Sequence, residues 1–205
     1  MPQQEAIRAL ALVCTLRSSP SASSSELMAR QILDSFAEQG VAGELVRLVD
    51  HDVKPGVEAD MGDGDDWPAI RSRMLESDIL VLATPTWMGH MSSVACRALE
   101  RLDAELSETD DQGRISTAGK VALVAVVGNE DGAHKIIADG FQALNDVGFT
   151  IAGNGSVYWN ANIENPSDYM DLDSIPDAVA SMMSKATTQS AHLARLLRGE
   201  NYPAI

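Results

Sequence analysis

The stretch DILVLATPTWMGH (residues 78–90) places a continuous apolar run directly before a loop that contains a proline, a tryptophan and a glycine. Similar apolar runs occur at residues 7–14 (IRALALVC) and 120–127 (KVALVAVV). Short runs without polar alternation are typical of parallel strands that helices bury on both faces. Because segments with helical periodicity follow these runs, the pattern predicts an α/β domain with a doubly wound parallel sheet.

The remaining elements continue this alternation. Two shorter strands are expected at residues 44–48 and 149–152. The whole chain, 1–205, is expected to form a single domain, because its length and 45% hydrophobic content are enough for one full core. Residues 160–205 are a C-terminal extension ending in an amphipathic helix, which either covers its own sheet or supplies a subunit interface. The expected helices are one that ends at Gly40 and those at residues 67–76, 92–106, 133–146 and 174–198.

Composition excludes several classes of function. A net charge of −15, from 15 basic and 30 acidic residues, argues against nucleic-acid binding. No apolar stretch approaches the roughly 20 residues needed to cross a bilayer, and the N-terminus lacks the basic segment of a signal peptide. We therefore expect a cytoplasmic protein without membrane contact. The acids cluster at residues 50–66, 100–111 and 164–177, which predicts a solvated surface or, alternatively, a docking site for a basic redox partner.

The two cysteines point to neither a disulfide framework nor a metal site. Cys14 and Cys96 are widely separated and form no CxxC pair. Cys14 ends a predicted strand and Cys96 lies in a predicted helix. Both are expected to be inert core residues, since unpaired cysteines are commonly buried as small hydrophobes.

The loop after the first strand favours phosphate. Six of the eight residues at 18–25 are serines, and the segment leads into a helix. Hydroxyl donors, unpaired first-turn N–H groups and the helix dipole together suit a phosphate dianion. Arg17 adds a charge-assisted contact. The alternative is an ordinary N-cap in a polar loop.

The loop after the third strand, residues 84–90, suits a planar ring. Trp87 and Met88 offer apolar surface, and Gly89 permits close backbone approach. The alternative is that Trp87 only caps the core.

The loop after the fourth strand, GNEDG at residues 128–132, contains two glycines and leads into another helix. Asp131 is expected to cap that helix. His134 would then lie in its first turn, where the helix dipole favours a neutral imidazole that can line a ring-binding site. The alternative is a tight, capped turn without a ligand.

In this order, the three loops resemble those of the flavodoxin-like NAD(P)H-dependent FMN reductase superfamily, which includes quinone reductases. The resemblance spans residues 7 to about 159, and Thr-Pro-Thr-Trp-Met-Gly is its strongest motif. It implies a five-stranded parallel sheet of order 2-1-3-4-5 with helices on both faces. The expected FMN-binding residues are Thr15, Arg17, Ser23, Ser24, Ser25, Pro85, Thr86, Trp87, Met88, Gly89, Gly128, Asn129, Glu130, Asp131, Gly132, His134 and Tyr158.

The resemblance also implies a function: an enzyme that takes hydride from NAD(P)H through FMN and reduces a quinone, a flavin or a similar small acceptor. Such proteins commonly form active sites between subunits, so a homodimer or higher homo-oligomer is expected. No side chain stands out as a catalytic acid or base. The alternatives are a flavodoxin-type electron carrier that docks a basic partner and a scaffold that has lost the cofactor.

Overall fold

The computed structural model of the protein describes residues 6–161 and 167–204. Five parallel strands form the sheet in the order β2-β1-β3-β5-β6, and the short β4 pairs antiparallel with the end of β3. The flavodoxin-like class and the predicted order of the five parallel strands are thus confirmed. The strands are β1 (Ile7–Val13), β2 (Val41–Arg47), β3 (Ile79–Trp87), β4 (His90–Met91), β5 (Val121–Gly128) and β6 (Thr150–Asn160).

Helices cover both faces of this sheet. The first and last helices pack on one face, and the other three pack on the opposite face, so that each face has its own apolar cluster. None of the helices that the structure describes is long and apolar enough to span a membrane. The helices are α1 (Ser24–Glu38), α2 (Trp67–Leu75), α3 (Ser93–Leu102), α4 (Ala133–Asp146) and α5 (Asp177–Gly199).

The central strand β5 shows why the sheet is sandwiched. All eight of its residues are buried, and successive side chains enter opposite clusters: Leu123 joins the one beneath α1 and α5, and Val124 the other. The C-terminal helix α5 covers its own sheet, because Met183 and Ala186 belong to the same cluster as Leu123.

Three strands are longer than the sequence predicted. β2 spans Val41–Arg47, against the expected residues 44–48. β3 continues through Trp87, because pairing with β5 persists as far as Pro85 and the next residues form a hairpin with β4. β6 also includes Tyr158 and Trp159, which lie beyond the strand expected at residues 149–152. An irregularity in its pairing between Ala122 and Val124 of β5 interrupts the ladder, which then resumes to the end of the strand.

Two further expectations were wrong. Cys14 is buried as expected, but Cys96 lies on the exposed side of α3. The acidic clusters are not uniformly solvated either, because the side chains of Asp65 and Glu105 are fully buried. Asp65 pairs with the buried Arg101, and Glu105 pairs with Arg71. A buried carboxylate needs such a partner, and composition alone does not reveal it.

Candidate functional site

A cleft opens at the carboxyl ends of β1, β3 and β5, the edge at which open α/β sheets bind ligands. Its empty volume is about 610 Å³, including space open to solvent. The structure brings together in its lining ten of the residues expected from the sequence. These are Thr15, Arg17, Ser23, Ser24, Ser25, Pro85, Thr86, Trp87, Gly128 and Asn129.

The start of α1 forms one end of the cleft. Ser23 is the N-cap, and its hydroxyl accepts a hydrogen bond from the N–H of Glu26 at 3.3 Å. Ser24 and Ser25 are the first two residues of the helix, where N–H groups have no acceptor within the helix. Together with the positive end of the helix dipole, these groups make this end of the cleft suitable for an anion.

Arg47, at the end of β2, holds the serine-rich loop in place. Its side chain is only 7% exposed and donates to the Glu26 carboxylate at 2.6 Å. It also donates to the backbone carbonyls of Ser21 and Arg17, at 2.9 and 3.2 Å. Arg47 thus acts as scaffold, whereas the exposed Arg17 lines the cleft.

A second contact anchors the outer part of this loop. The backbone N–H and the hydroxyl of Ser19 donate to the Asp50 carboxylate at 2.8 and 2.6 Å. These hydrogen bonds, led by that of the hydroxyl, hold the pKa of Asp50 below its ordinary value. The serine-rich loop is therefore held by Arg47 at Arg17 and Ser21 and by Asp50 at Ser19.

The rim of the cleft is a tight hairpin between β3 and β4. Met88 and Gly89 are its two central residues, with φ of 51° and 71°. Positive φ at both positions is typical of the turns that match strand twist. Trp87 is 53% and Met88 89% exposed, so the hairpin presents an apolar surface to solvent.

The hairpin is fastened to the loop after β5. The N–H of Met88 donates to the Glu130 carboxylate at 2.5 Å. At Gly132, where φ is 136°, a Cβ atom would lie 2.7 Å from the Cα of Gly89. The two backbones therefore touch, and Gly132 admits no side chain. Met88, Gly89, Glu130 and Gly132 border the cleft as one rim without lining it.

Thr86 and Gly128 form part of the floor. The Thr86 hydroxyl is buried and has no hydrogen-bond partner within the described part of the chain. A Cβ atom on Gly128 would lie 2.7 Å from the Cβ of Thr86, so glycine keeps the space beside this hydroxyl open. Buried polar groups in folded proteins are nearly always paired, and an unpaired one in a cleft points to a ligand.

Three expected residues lie apart from the cleft. His134 and Tyr158 contact each other edge to face, with ring centroids 5.0 Å apart. Tyr158 packs against the cluster on the α2, α3 and α4 face, opposite to that of Trp159. Asp131 accepts the N–H of Gly132 at 2.7 Å. The N-cap of α4 is Gly132, so the expected capping of this helix by Asp131 was wrong.

The expected set left out a wall of the cleft that the end of β6 and the segment after it form. Trp159 and Tyr169 pack together, with ring centroids 5.5 Å apart. The Tyr169 hydroxyl donates to the side chain of Gln31 at 2.6 Å, and burial raises the pKa of Tyr169. Strand alternation was the available signal for Trp159. The cleft-lining residues absent from the expected set are Leu16, Ala22, Val127, Trp159, Asp168, Tyr169 and Met170.

Comparison with known proteins gives a family and flavin-related relatives. The family model described as NADPH-dependent FMN reductase matches residues 7–163. The 8-demethyl-8-aminoriboflavin-5'-phosphate synthase of Streptomyces davaonensis is 32% identical over 163 residues, which are 75% of this chain and 63% of that protein. A Mycobacterium bovis protein named divalent metal cation transporter MntH is 33% identical over 174 residues, 83% of this chain but 25% of that protein. This chain therefore spans less than two thirds of either relative.

A solved structure agrees in fold over nearly the whole chain. RosB with the bound intermediate 8-demethyl-8-formylriboflavin-5'-phosphate superposes with a TM-score of 0.88 at 28% identity, covering 96% of this chain and 82% of that one. The resemblance seen in the sequence is thus confirmed. The family match covers more than half of the chain, and this chain belongs to the NADPH-dependent FMN reductase family of flavodoxin-like flavoproteins.

Proposed function

We propose that this chain is an FMN-dependent oxidoreductase that takes hydride from NAD(P)H and reduces a quinone, a flavin or a similar small acceptor. One observation carries the proposal. The cleft joins an anion-binding helix start, a buried hydroxyl without a partner and an apolar rim along one sheet edge. FMN carries a phosphate, a polar chain and a flat ring, and these three parts match the three features of the cleft.

The residues present fit FMN. Ser24 and Ser25 would hold the phosphate with first-turn N–H groups, and Arg17 would add a cation. Thr86 offers an unused hydroxyl inside the cleft. Trp87 would lie beside the ring, where its apolar surface shields one side from water.

When bound, FMN supplies the redox chemistry, and the protein supplies binding, orientation and electrostatics. The rim holds the backbone of the β3–β4 hairpin against the loop after β5, at the edge of the cleft. Its residues are Met88, Gly89, Glu130 and Gly132. Trp87 and Met88 are exposed at this rim and give a second planar substrate an apolar surface on which to stack. In this mechanism the chain positions two substrates and needs no side chain as a proton donor.

The test is a binding and reduction experiment. Purified protein is titrated with FMN while flavin fluorescence is followed, and NADH or NADPH is then added without oxygen. We expect loss of the oxidised-flavin absorbance, and its return with turnover when a quinone is added. FMN that binds but stays oxidised with both nicotinamides would refute the reductase. Reduction without steady-state turnover of small acceptors would favour the electron carrier.

A second candidate is chemistry on the flavin itself. It is favoured by the similarity to 8-demethyl-8-aminoriboflavin-5'-phosphate synthase and to RosB, whose structure holds a modified riboflavin phosphate. Mass spectrometry of the flavin recovered after incubation separates the two. A reductase returns FMN of unchanged mass, whereas a modifying enzyme returns a flavin of altered mass.

A homodimer or higher homo-oligomer remains part of the proposal. The exposed Trp87 and Met88 next to the cleft support it, because apolar side chains at a site rim are commonly covered by a partner. Light scattering coupled to size exclusion tests it, and a monomer at all concentrations would contradict it.

A further inference from the structure

The segment 168–170 lies beyond the region matched by the family model, yet it lines the cleft. The backbone N–H of Met170 donates to the Ser24 hydroxyl at 3.3 Å, which ties the segment to the anion-binding start of α1. On its other side, the amide of Asn129 donates to the Asp168 carboxylate at 3.4 Å. The segment therefore contacts both the start of α1 and the loop after β5.

This placement puts an acidic side chain in the same cleft as the basic Arg17. Among the described residues that line it, Arg17 and Asp168 are the charged ones. Asp168 precedes Met170 by two residues, a span of at most ~7 Å. Its Cα atom therefore lies on the order of one Debye length from Ser24, and its carboxylate contacts Asn129. A carboxylate at that range opposes a phosphate dianion, and the half-buried side chain is only partly screened.

We infer that Asp168 sets the affinity of the cleft for the flavin phosphate, lowering it so that FMN exchanges with solution. The inference rests on the proposed function. Arg17 and the first turn of α1 attract the phosphate, and Asp168 offsets part of that attraction. The overall charge of −15 acts in the same direction. Asp168 is thus a specificity residue for the phosphate end of the ligand.

The test compares FMN with riboflavin, which lacks the phosphate. Both are titrated into the wild-type chain, Asp168→Asn and the control Asp171→Asn at low ionic strength. Asp171 belongs to the same short 3-10 turn, Tyr169–Asp171, but is exposed and does not line the cleft. We expect Asp168→Asn to lower the Kd for FMN about threefold to tenfold and to slow FMN dissociation. Riboflavin binding should be unchanged, and Asp171→Asn should match the wild type for both ligands.

Salt provides a further readout. At 1 M salt the Debye length falls to about 3 Å, so the advantage of Asp168→Asn for FMN should shrink. An equal gain for both flavins, or a gain that salt leaves undiminished, would overturn the inference and point to packing.

Weaker binding of both flavins to Asp168→Asn would also overturn it, because the carboxylate would then accept hydrogen bonds from the ligand. No change for either flavin would overturn it as well. A different result would overturn the proposed function: bound FMN that NAD(P)H does not reduce. A wild-type chain that does not bind FMN would overturn both proposals.

Discussion

The cleft and the acidic loop that follows β2 are both polar and irregular, but they differ in where their polar groups find partners. In the loop after β2, the Asp65 carboxylate accepts N–H groups from Met61 and Trp67 at 2.9 and 3.2 Å. It also forms a bidentate pair with Arg101, at 3.0 and 2.8 Å. Both charged side chains are fully buried, and the guanidinium lies over the Trp67 ring.

In the cleft, by contrast, some polar groups are left for a ligand. The Thr86 hydroxyl has no partner within the described residues, and Ser24 and Ser25 present the first turn of a helix. The comparison teaches how to separate scaffold from site. Polar groups that satisfy one another hold the chain in place, whereas polar groups left without partners at a sheet edge are available to a ligand.

The largest effect is expected from Asp65→Ala, which leaves Arg101 buried without its carboxylate. Breaking a buried pair from one side typically costs about 3–5 kcal/mol, so the free energy of unfolding should fall by about that amount. Denaturant titration measures it. The control Glu44→Ala breaks the exposed pair with Arg73 and should cost about 1 kcal/mol or less. Equal losses of stability in the two variants would show that the buried pair stabilises the fold no more than the exposed pair does.

The pair of Asp65 and Arg101 also predicts that the stability of the fold depends on pH. Burial alone would raise the pKa of Asp65, but the hydrogen bonds from Arg101 and the backbone outweigh it and hold that pKa well below its ordinary value. A depressed folded-state pKa stabilises the fold above the unfolded value of about 3.9 and loses that contribution as the pH falls. The stability difference between wild type and Asp65→Ala should therefore be full at neutral pH and shrink below about pH 4.

The next largest effect is expected from Arg47→Met. Arg47 is a scaffold residue, and the loop that it holds lines the cleft. The substitution frees the carbonyls of Ser21 and Arg17 and leaves Glu26 without its buried partner. We expect FMN affinity to fall about tenfold and stability to fall by about 2 kcal/mol. Fluorescence titration and denaturation measure the two effects.

Arg30→Met is the matched control, since Arg30 pairs with the same carboxylate from an exposed position. Its stability loss should stay near 0.5 kcal/mol or below, about that of an i,i+4 pair. If Arg47→Met left FMN affinity unchanged, the loop would not depend on Arg47 for its binding geometry.

Much of the fold could be predicted from the sequence, because the core strands are continuous apolar runs. The all-buried β5 is the clearest example. The loops after β1, β3 and β5 were identified by their composition and by the family resemblance, so most of the expected residues line the cleft. The buried state of Asp65 could not be predicted, because its partner Arg101 lies 36 positions away.

The remaining errors have similar physical causes. Tyr158 and Trp159 alternate across β6, and the irregular pairing near its start shifts the register, so the sequence did not reveal which ring faces the cleft. Met170 reaches the cleft through a contact with Ser24, 146 positions away. No local pattern marks that segment.

Thr86→Val is expected to have a smaller effect, with opposite signs on stability and on FMN affinity. Removing a hydroxyl without a partner relieves a buried polar group, so stability should hold or rise by up to about 1 kcal/mol. FMN affinity should fall about threefold to tenfold, since the ligand loses one hydrogen bond.

Thr84→Val is the control two residues earlier in β3. The Thr84 hydroxyl already accepts the N–H of Ser92 at 3.1 Å, so this variant should lose about 1–3 kcal/mol of stability. A stability loss in Thr86→Val as large as that in Thr84→Val would remove the distinction between scaffold and site at this strand.

The smallest effect is expected at the rim, from Glu130→Ala. This change removes the acceptor of the Met88 N–H but leaves the contact between Gly132 and Gly89. Because the hydrogen bond is exposed to water, we expect a stability change within about 0.5 kcal/mol and an FMN affinity about threefold lower. Glu130→Gln keeps an acceptor at the same position and should restore the affinity. Failure of the glutamine to do so would mean that the carboxylate acts through its charge rather than by positioning the hairpin. Glu130 would then raise flavin affinity through its charge, opposite in sign to the effect inferred for Asp168.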